Sequence, residues 1–189
     1  MNQPICDKIF ITSTGKQNII SVIKGDIAQV PTQAMIAPIN SRGLWFGGID
    51  NVIRLNCGDQ FHDQAENRMP LYHLDTIVAK KRIAHQAQFQ DVVFVIDDLK
   101  SDLHKVVYAA LQAAGEAGYT KVSLPAIRTG VMLGIVEKDA KTAVDELGKG
   151  ITSYYKDFPD SPISNITFVV YERANEEILK LLQNSLSLI

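Results

Sequence analysis

Residues 91–124 read DVVFVIDDLKSDLHKVVYAALQAAGEAGYTKVSL, and the order of patterns within them decides the fold. Asp91-Val92-Val93-Phe94-Val95-Ile96 is nearly all apolar and rich in β-branched residues, which suits a strand covered by helices on both faces. From Ser101 to Ala117 the apolar residues take helical spacing, and Gly118 marks the stop. Asp102, or Ser101 before it, is the expected cap, because a short side-chain oxygen accepts from the free N–H groups of an opening turn. Lys121-Val122-Ser123-Leu124 then returns to a strand pattern.

The same alternation extends in both directions. Strand runs are Lys8 to Thr12, Ile19 to Ile23, Ala34 to Ala37, Thr76 to Ala79 and Ile166 to Tyr171. Helical periods cover Asp50 to Cys57, Glu137 to Tyr155 and Ala174 to Leu188. Asp157 to Ser164, with Pro159 and Pro162, reads as a polar surface loop. Strands interleaved with helices imply an α/β fold, a three-layer α/β/α sandwich around a central mixed sheet. With 189 residues, no repeat and no long linker, residues 1–189 are expected to form one domain.

Composition narrows the function classes. Hydrophobic residues make up 46% and charged residues 21%, the balance of an ordinary soluble globular protein. The net charge of −2 provides no global positive field, so strong nucleic-acid binding is not expected. The two cysteines, Cys6 and Cys57, lack ligand spacing, which argues against a disulfide framework and a structural zinc and points to a cytoplasmic location. No stretch of about 18 apolar residues suggests a membrane span, and no signal peptide is indicated.

In α/β sheets, ligands gather outside the carboxyl ends of strands. Three segments fit that rule. In Lys24-Gly25-Asp26-Ile27 the carboxylate can accept from an exocyclic amine while a neighbouring N–H donates to a ring nitrogen; a simple Gly-Asp turn is the plainer alternative. Residues 38–50, PINSRGLWFGGID, run from a strand into a helix, and their paired glycines and helix N-terminus outline an anion cradle; a flexible loop is equally open. Asn40 and Asp50 bracket that loop. Residues 124–134, LPAIRTGVMLG, again place glycine and backbone N–H groups between a strand and a helix, where a plain connection would look the same.

Taken in order, Gly-Asp-Ile, then Asn40 followed by Gly47-Gly48-Ile49-Asp50, then Leu-Pro-Ala-Ile-x-Thr-Gly-Val resembles the macrodomain family over about Ile19 to Tyr171. The resemblance implies an ADP-ribose site. In it Asp26 selects adenine with Ile27 as its backbone companion, while Gly47, Gly48 and Ile49 form one lip of the diphosphate cleft. Thr129, Gly130, Val131 and Met132 form the other lip, and Tyr171 packs against adenine or serves the core edge. In the hydrolytic branch of the family an Asn and an Asp spaced like Asn40 and Asp50 surround the distal ribose. Asp50 would orient or deprotonate a water, or hold a ribose hydroxyl, while Asn40 fixes the sugar. No metal or cofactor is implied, since fixed N–H dipoles meet the phosphate charge. The implied partner is ADP-ribose or an ADP-ribosylated protein; a non-catalytic reader and an interaction module are the alternatives.

Some positions depart from the family pattern. Ala37 stands where a second Asn is usual, Trp45 and Phe46 interrupt the glycine run, and Met132-Leu133 replaces an aromatic and a glycine. Arg128 stands where a small Ser is common, and its guanidinium is expected to reach a phosphate or an acidic neighbour. His62, His73, His85 and His104 show no metal or triad spacing and read as surface residues. Lys80-Lys81-Arg82 reads as a solvated strand end and Cys57 as packing. The stretch from Cys57 to Leu74 suggests a helix and loop beside the cleft.

Overall fold

The computed structural model describes residues 2–42, 48–171 and 176–186. Its strands are β1 (Gln3–Ile11), β2 (Gln17–Lys24), β3 (Ala34–Ile39), β4 (Thr76–Ala79), β5 (Asp91–Ile96), β6 (Lys121–Pro125) and β7 (Asn165–Val170). Its helices are α1 (Gly48–Cys57), α2 (His62–Glu66), α3 (Leu103–Glu116), α4 (Ala140–Asp157) and α5 (Glu176–Leu186). The strands form one mixed sheet in the order β1-β2-β7-β6-β3-β5-β4. β1 and β4 run antiparallel to their neighbours at the two edges, and the five strands between them are mutually parallel.

The residues of β5 show why the sheet sits between helices. Side chains alternate across a strand, so Val93 and Val95 join one core while Val92, Phe94 and Ile96 join the other. The first core packs the sheet against α3, α4 and α5 through residues such as Val106, Leu111, Leu147, Ile151 and Leu182. The second packs it against α1 and α2 through Ile53 and Phe61. Each large apolar side chain so buried contributes about 1.5–3 kcal/mol relative to exposure. The three-layer α/β/α sandwich expected from the sequence is the fold. Cys57 packs in the second core, and its burial pushes the thiol up to about 11, against the opposing effects of the Ala87 backbone and the Lys81 charge.

Several boundaries differ from the expectation. α3 starts at Leu103, and although Asp102 occupies its N-cap position, the Asp102 side chain makes no capping bond. Glu137 Oε1 instead accepts from the Leu103 N–H at 2.9 Å, and Glu146 Oε2 accepts from the His104 N–H at 3.3 Å. α4 starts at Ala140, not Glu137, because Asp139 caps it, accepting from the Thr142 N–H at 2.8 Å. β1 begins at Gln3 because its ladder with β2 continues past Lys8 to the Gln3↔Lys24 pair. β7 ends at Val170, leaving Tyr171 exposed beyond it. Residues 174–175 and 187–188 of the expected last helix lie outside the described residues. Among the described residues, no helix is long and apolar enough to cross a membrane.

The α3–α4 contact depends on a close approach at Gly150. A β-carbon there would lie 2.7 Å from Val107 Cβ and 2.9 Å from the His104 carbonyl oxygen, which belongs to backbone and cannot swing aside. Gly150→Ala is therefore expected to lower stability by about 1–3 kcal/mol, read as a reduced melting temperature. An unchanged or raised melting temperature would show that the helices do not need this approach.

Candidate functional site

Because β2, β7, β6, β3 and β5 are parallel neighbours, their carboxyl ends at Lys24, Val170, Pro125, Ile39 and Ile96 lie in that order along one edge of the sheet. At about 4.8 Å between strands, this edge is about 19 Å long. All three sequence-selected segments leave from it, and so does a fourth.

At the β2 end, the Gly25 N–H donates to the Val170 carbonyl oxygen at 2.9 Å, which sets the turn beside the start of Tyr171. Asp26 is exposed, and its Oδ1 accepts from the Ala28 N–H at 2.9 Å, capping a 3-10 turn at Ile27–Gln29. Its own N–H donates to Asn2 Oδ1 at 2.8 Å. Gly25 makes room for this, since a β-carbon there would overlap Asn2 Oδ1. The Ile27 N–H meets no acceptor among the described residues, so it is the backbone donor next to the Asp26 carboxylate that remains available. Tyr171 stands 61% exposed at the adjoining strand end.

In the middle of the edge, the segment after β6 folds as a chain of tight turns. Thr129 Oγ1 donates to the Ala126 carbonyl oxygen at 2.7 Å, and the Leu133 N–H donates to that of Gly130 at 2.9 Å. The N–H groups of Gly130, Val131 and Met132 meet no protein acceptor among the described residues, and Val131 is 94% exposed. Gly48 and Ile49 open α1, where the first-turn N–H groups have no intrahelical partner. Gly47, Trp45 and Phe46 lie outside the described residues.

Asn40, Asp50 and Met132 line a single cleft of about 450 Å³ across the β6, β3 and β5 ends, together with Asp97, Asp98 and Arg128. Asp26, Ile27 and Tyr171 are not part of it. Asn40 Oδ1 accepts from the Arg42 N–H at 2.9 Å, which fixes the turn leaving β3. Asp50 sits buried in the first turn of α1, its Oδ1 3.4 Å from His62 Nε2. The expectation that the histidines are surface residues fails at His62, which is fully buried with its ring 5.3 Å from that of Phe94. The helix expected after Cys57 is α2, and it brings that imidazole behind the carboxylate.

The acids that follow β5 went unread in the sequence, although two carboxylates at the exit of an apolar strand satisfy the rule that selected the other segments. Arg128 takes a left-handed backbone, φ 61°, and turns its guanidinium inward. Nε and Nη2 donate to the two Asp97 carboxylate oxygens at 2.9 and 2.6 Å. Nη1 donates to Glu137 at 2.8 and 3.0 Å and to the Ser101 carbonyl oxygen at 3.0 Å. Of the two partners expected for Arg128, the acidic neighbour is the one it has. Burial alone would ease its proton off, but the hydrogen bonds and charges of Asp97 and Glu137 outweigh burial and hold the guanidinium above its ordinary pKa.

Elsewhere, among the described residues, folding makes a group that linear spacing hid. Asp102, His104 and Glu146 bring ligand atoms within 4.8 Å of one another, and within that group His104 Nδ1 pairs with Glu146. Lys80 is more than a solvated strand end, since it donates to Tyr119 Oη at 2.7 Å and to Asp91 at 3.2 Å.

No family model matches the chain. It is 28% identical to an uncharacterized protein of Aquifex aeolicus over 138 residues, 69% of this chain and 81% of that protein. It is 22% identical to an ADP-ribose glycohydrolase of Archaeoglobus fulgidus over 187 residues, 88% of this chain and 93% of that enzyme. Among solved structures, it superposes with a TM-score of 0.73 on a Trypanosoma brucei macrodomain in complex with ADP-ribose, at 15% identity over 87% of this chain and 68% of that one. An Oceanobacillus iheyensis macrodomain with ADP gives 0.69 at 16% identity over 100% and 97%. The chain therefore has the macrodomain fold.

Asp98 allows a pH test of the cleft wall. Burial raises its pKa, but the bonds from Ser41 and the bond and charge from Lys100 outweigh that and hold the carboxyl below its ordinary value. A carboxyl depressed by folding adds stability that is complete above its unfolded pKa and is lost as pH falls through the folded one. The melting-temperature gap between wild type and Asp98→Asn is expected to be full near neutral pH and to close below about pH 4. A gap that persists unchanged into acid would contradict this.

Proposed function

We propose that the protein binds ADP-ribose along the carboxyl edge of its sheet and hydrolyses mono-ADP-ribosyl linkages on modified macromolecules. The observation that carries this reading is the order of chemistry along that edge. An exposed carboxylate with a free N–H comes first, then an aromatic, then a glycine loop of unpaired N–H groups, then an Asn and an Asp in a cleft. A ligand of adenine, ribose, diphosphate and distal ribose presents the matching groups in the same order. The Archaeoglobus relative named as an ADP-ribose glycohydrolase and the Trypanosoma macrodomain in complex with ADP-ribose support it.

In this account Asp26 accepts from the adenine amine and the Ile27 N–H donates to a ring nitrogen, with Tyr171 against the base. Gly130, Val131 and Met132 on one side, and Gly48 and Ile49 on the other, direct N–H groups at the diphosphate, while Thr129 holds its turn through the Ala126 carbonyl and Gly47 completes the second lip in sequence. There the dipoles of a helix N-terminus and a turn favour negative charge without a metal. Asn40 fixes the distal ribose. Asp50 holds a water for attack on the anomeric carbon or ester carbonyl and takes its proton, while the bond to the carrier breaks and the leaving oxygen or nitrogen is protonated. His62, behind Asp50, restrains the carboxylate. We place the whole reaction in one domain and in the cytoplasm, with an ADP-ribosylated protein as the carrier.

A non-catalytic reader is the second reading, favoured by one observation. The Asn40 amide oxygen accepts from the Arg42 N–H, a bond that serves the turn leaving β3 and suits a residue that positions a ligand.

Incubation of the wild type with a mono-ADP-ribosylated protein is expected to release free ADP-ribose, and Asp50→Ala to slow release at least about 100-fold. Full activity in Asp50→Ala would remove that residue from the chemistry. Saturable binding with no release by the wild type would select the reader.

A further inference from the structure

His73 lies outside the cleft, in the segment before β4, yet it connects to the cleft wall. The loop after β5, residues 97–101, contains Leu99 in a left-handed conformation, φ 58°. A β-carbon disfavours that conformation, so the loop needs bonds that hold it. One is internal, from the Leu99 N–H to Asp97 Oδ1 at 3.0 Å. Ile39 and Arg128 hold Asp97, and Arg128 also holds the Ser101 carbonyl. His73 holds the middle and the far side, its Nδ1 3.1 Å from the Asp98 N–H and its Nε2 2.8 Å from Ser101 Oγ. A backbone N–H can only donate, so Nδ1 must accept, and the ring carries its hydrogen on Nε2, facing the Ser101 hydroxyl.

The consequence reaches the distal end of the cleft. The Ser101 carbonyl oxygen accepts from Arg128. Asp98, whose backbone His73 fixes, accepts from the Ser41 N–H through Oδ1 at 2.8 Å and from Lys100 through Oδ2 at 3.3 Å. Ser41 lies within the turn that Asn40 caps. We propose that His73 is a positioning residue of this cleft: its neutral ring sets the loop after β5 and, through Asp98, the place of Asn40. The effect on ligand rests on the ADP-ribose reading above; the effect on the Asn40 turn does not.

Two substitutions separate the two bonds of the ring. His73→Asn keeps an oxygen near the Nδ1 position and can still accept from Asp98, whereas His73→Gln reaches toward the Nε2 position and loses that acceptor. Calorimetry with ADP-ribose is expected to show His73→Asn close to wild type and His73→Gln weakened about tenfold, the equivalent of one ordinary hydrogen bond. A general loss of packing would weaken both alike, so equal affinities in the two variants would overturn the proposal. If the wild type itself gives no heat with ADP-ribose, the functional reading fails and amide hydrogen exchange decides the positioning role. Faster exchange at Ser41 in His73→Gln than in His73→Asn supports it, and equal rates overturn it.

Discussion

The Arg128 guanidinium, buried between Asp97 and Glu137, holds the exit of β5, the loop after β6 and the approach to α4 in one arrangement. Glu137 also accepts from the first N–H of α3, so the same carboxylate fixes that helix start. Removing one partner from such a buried pair typically costs about 3–5 kcal/mol, because the charge left behind has lost its water as well as its partner. This network explains why Asp102 is idle as a cap, while Asp139, by capping α4, sets that helix's start three residues later than its pattern suggests. It also bears on ligand chemistry. Two carboxylates engage Arg128, so it offers no free cation to a diphosphate, and the proposed ADP-ribose reading therefore assigns phosphate to backbone N–H groups.

Much of the fold was legible because strand and helix periods report local burial. Val92 to Ile96 alternates between two cores, and its nearly all-apolar run correctly signalled helices on both faces. The macrodomain resemblance, drawn from Gly25-Asp26-Ile27, the Gly47–Asp50 loop and the Thr129–Val131 loop, agrees with the fold that the structure shows. What was not legible depends on distance in sequence. The cap of α3 comes from Glu137 and Glu146, and no local pattern announces a capping acid some 34 or 42 residues away. His62 read as a surface residue because its partner Asp50 and its neighbour Phe94 meet it only after α1 and α2 pack on the sheet.

The site divides in the same way. Asn40 and Asp50 were selected from their places around a loop, and they do face one cleft. Asp97 and Asp98, which wall that cleft, carried a readable signal as acids at a strand exit, but their roles depend on Arg128 and Ser41, which the sequence does not place beside them. Asp26 forms the turn that its plainer reading expects. It caps the 3-10 turn through one oxygen and presents its exposed carboxylate beside a free N–H.

A carboxyl edge of about 19 Å suits the proposed ligand, with a base at one end and a second sugar at the other, better than a mononucleotide. The distal cleft would then contribute affinity that the adenine end alone cannot. Calorimetric titration with ADP-ribose and with AMP tests this most directly. Saturable heat with ADP-ribose, and affinity at least about tenfold weaker for AMP, is the expected result. No heat with ADP-ribose at high concentration, or equal affinity for the two, would contradict an ADP-ribose site along this edge.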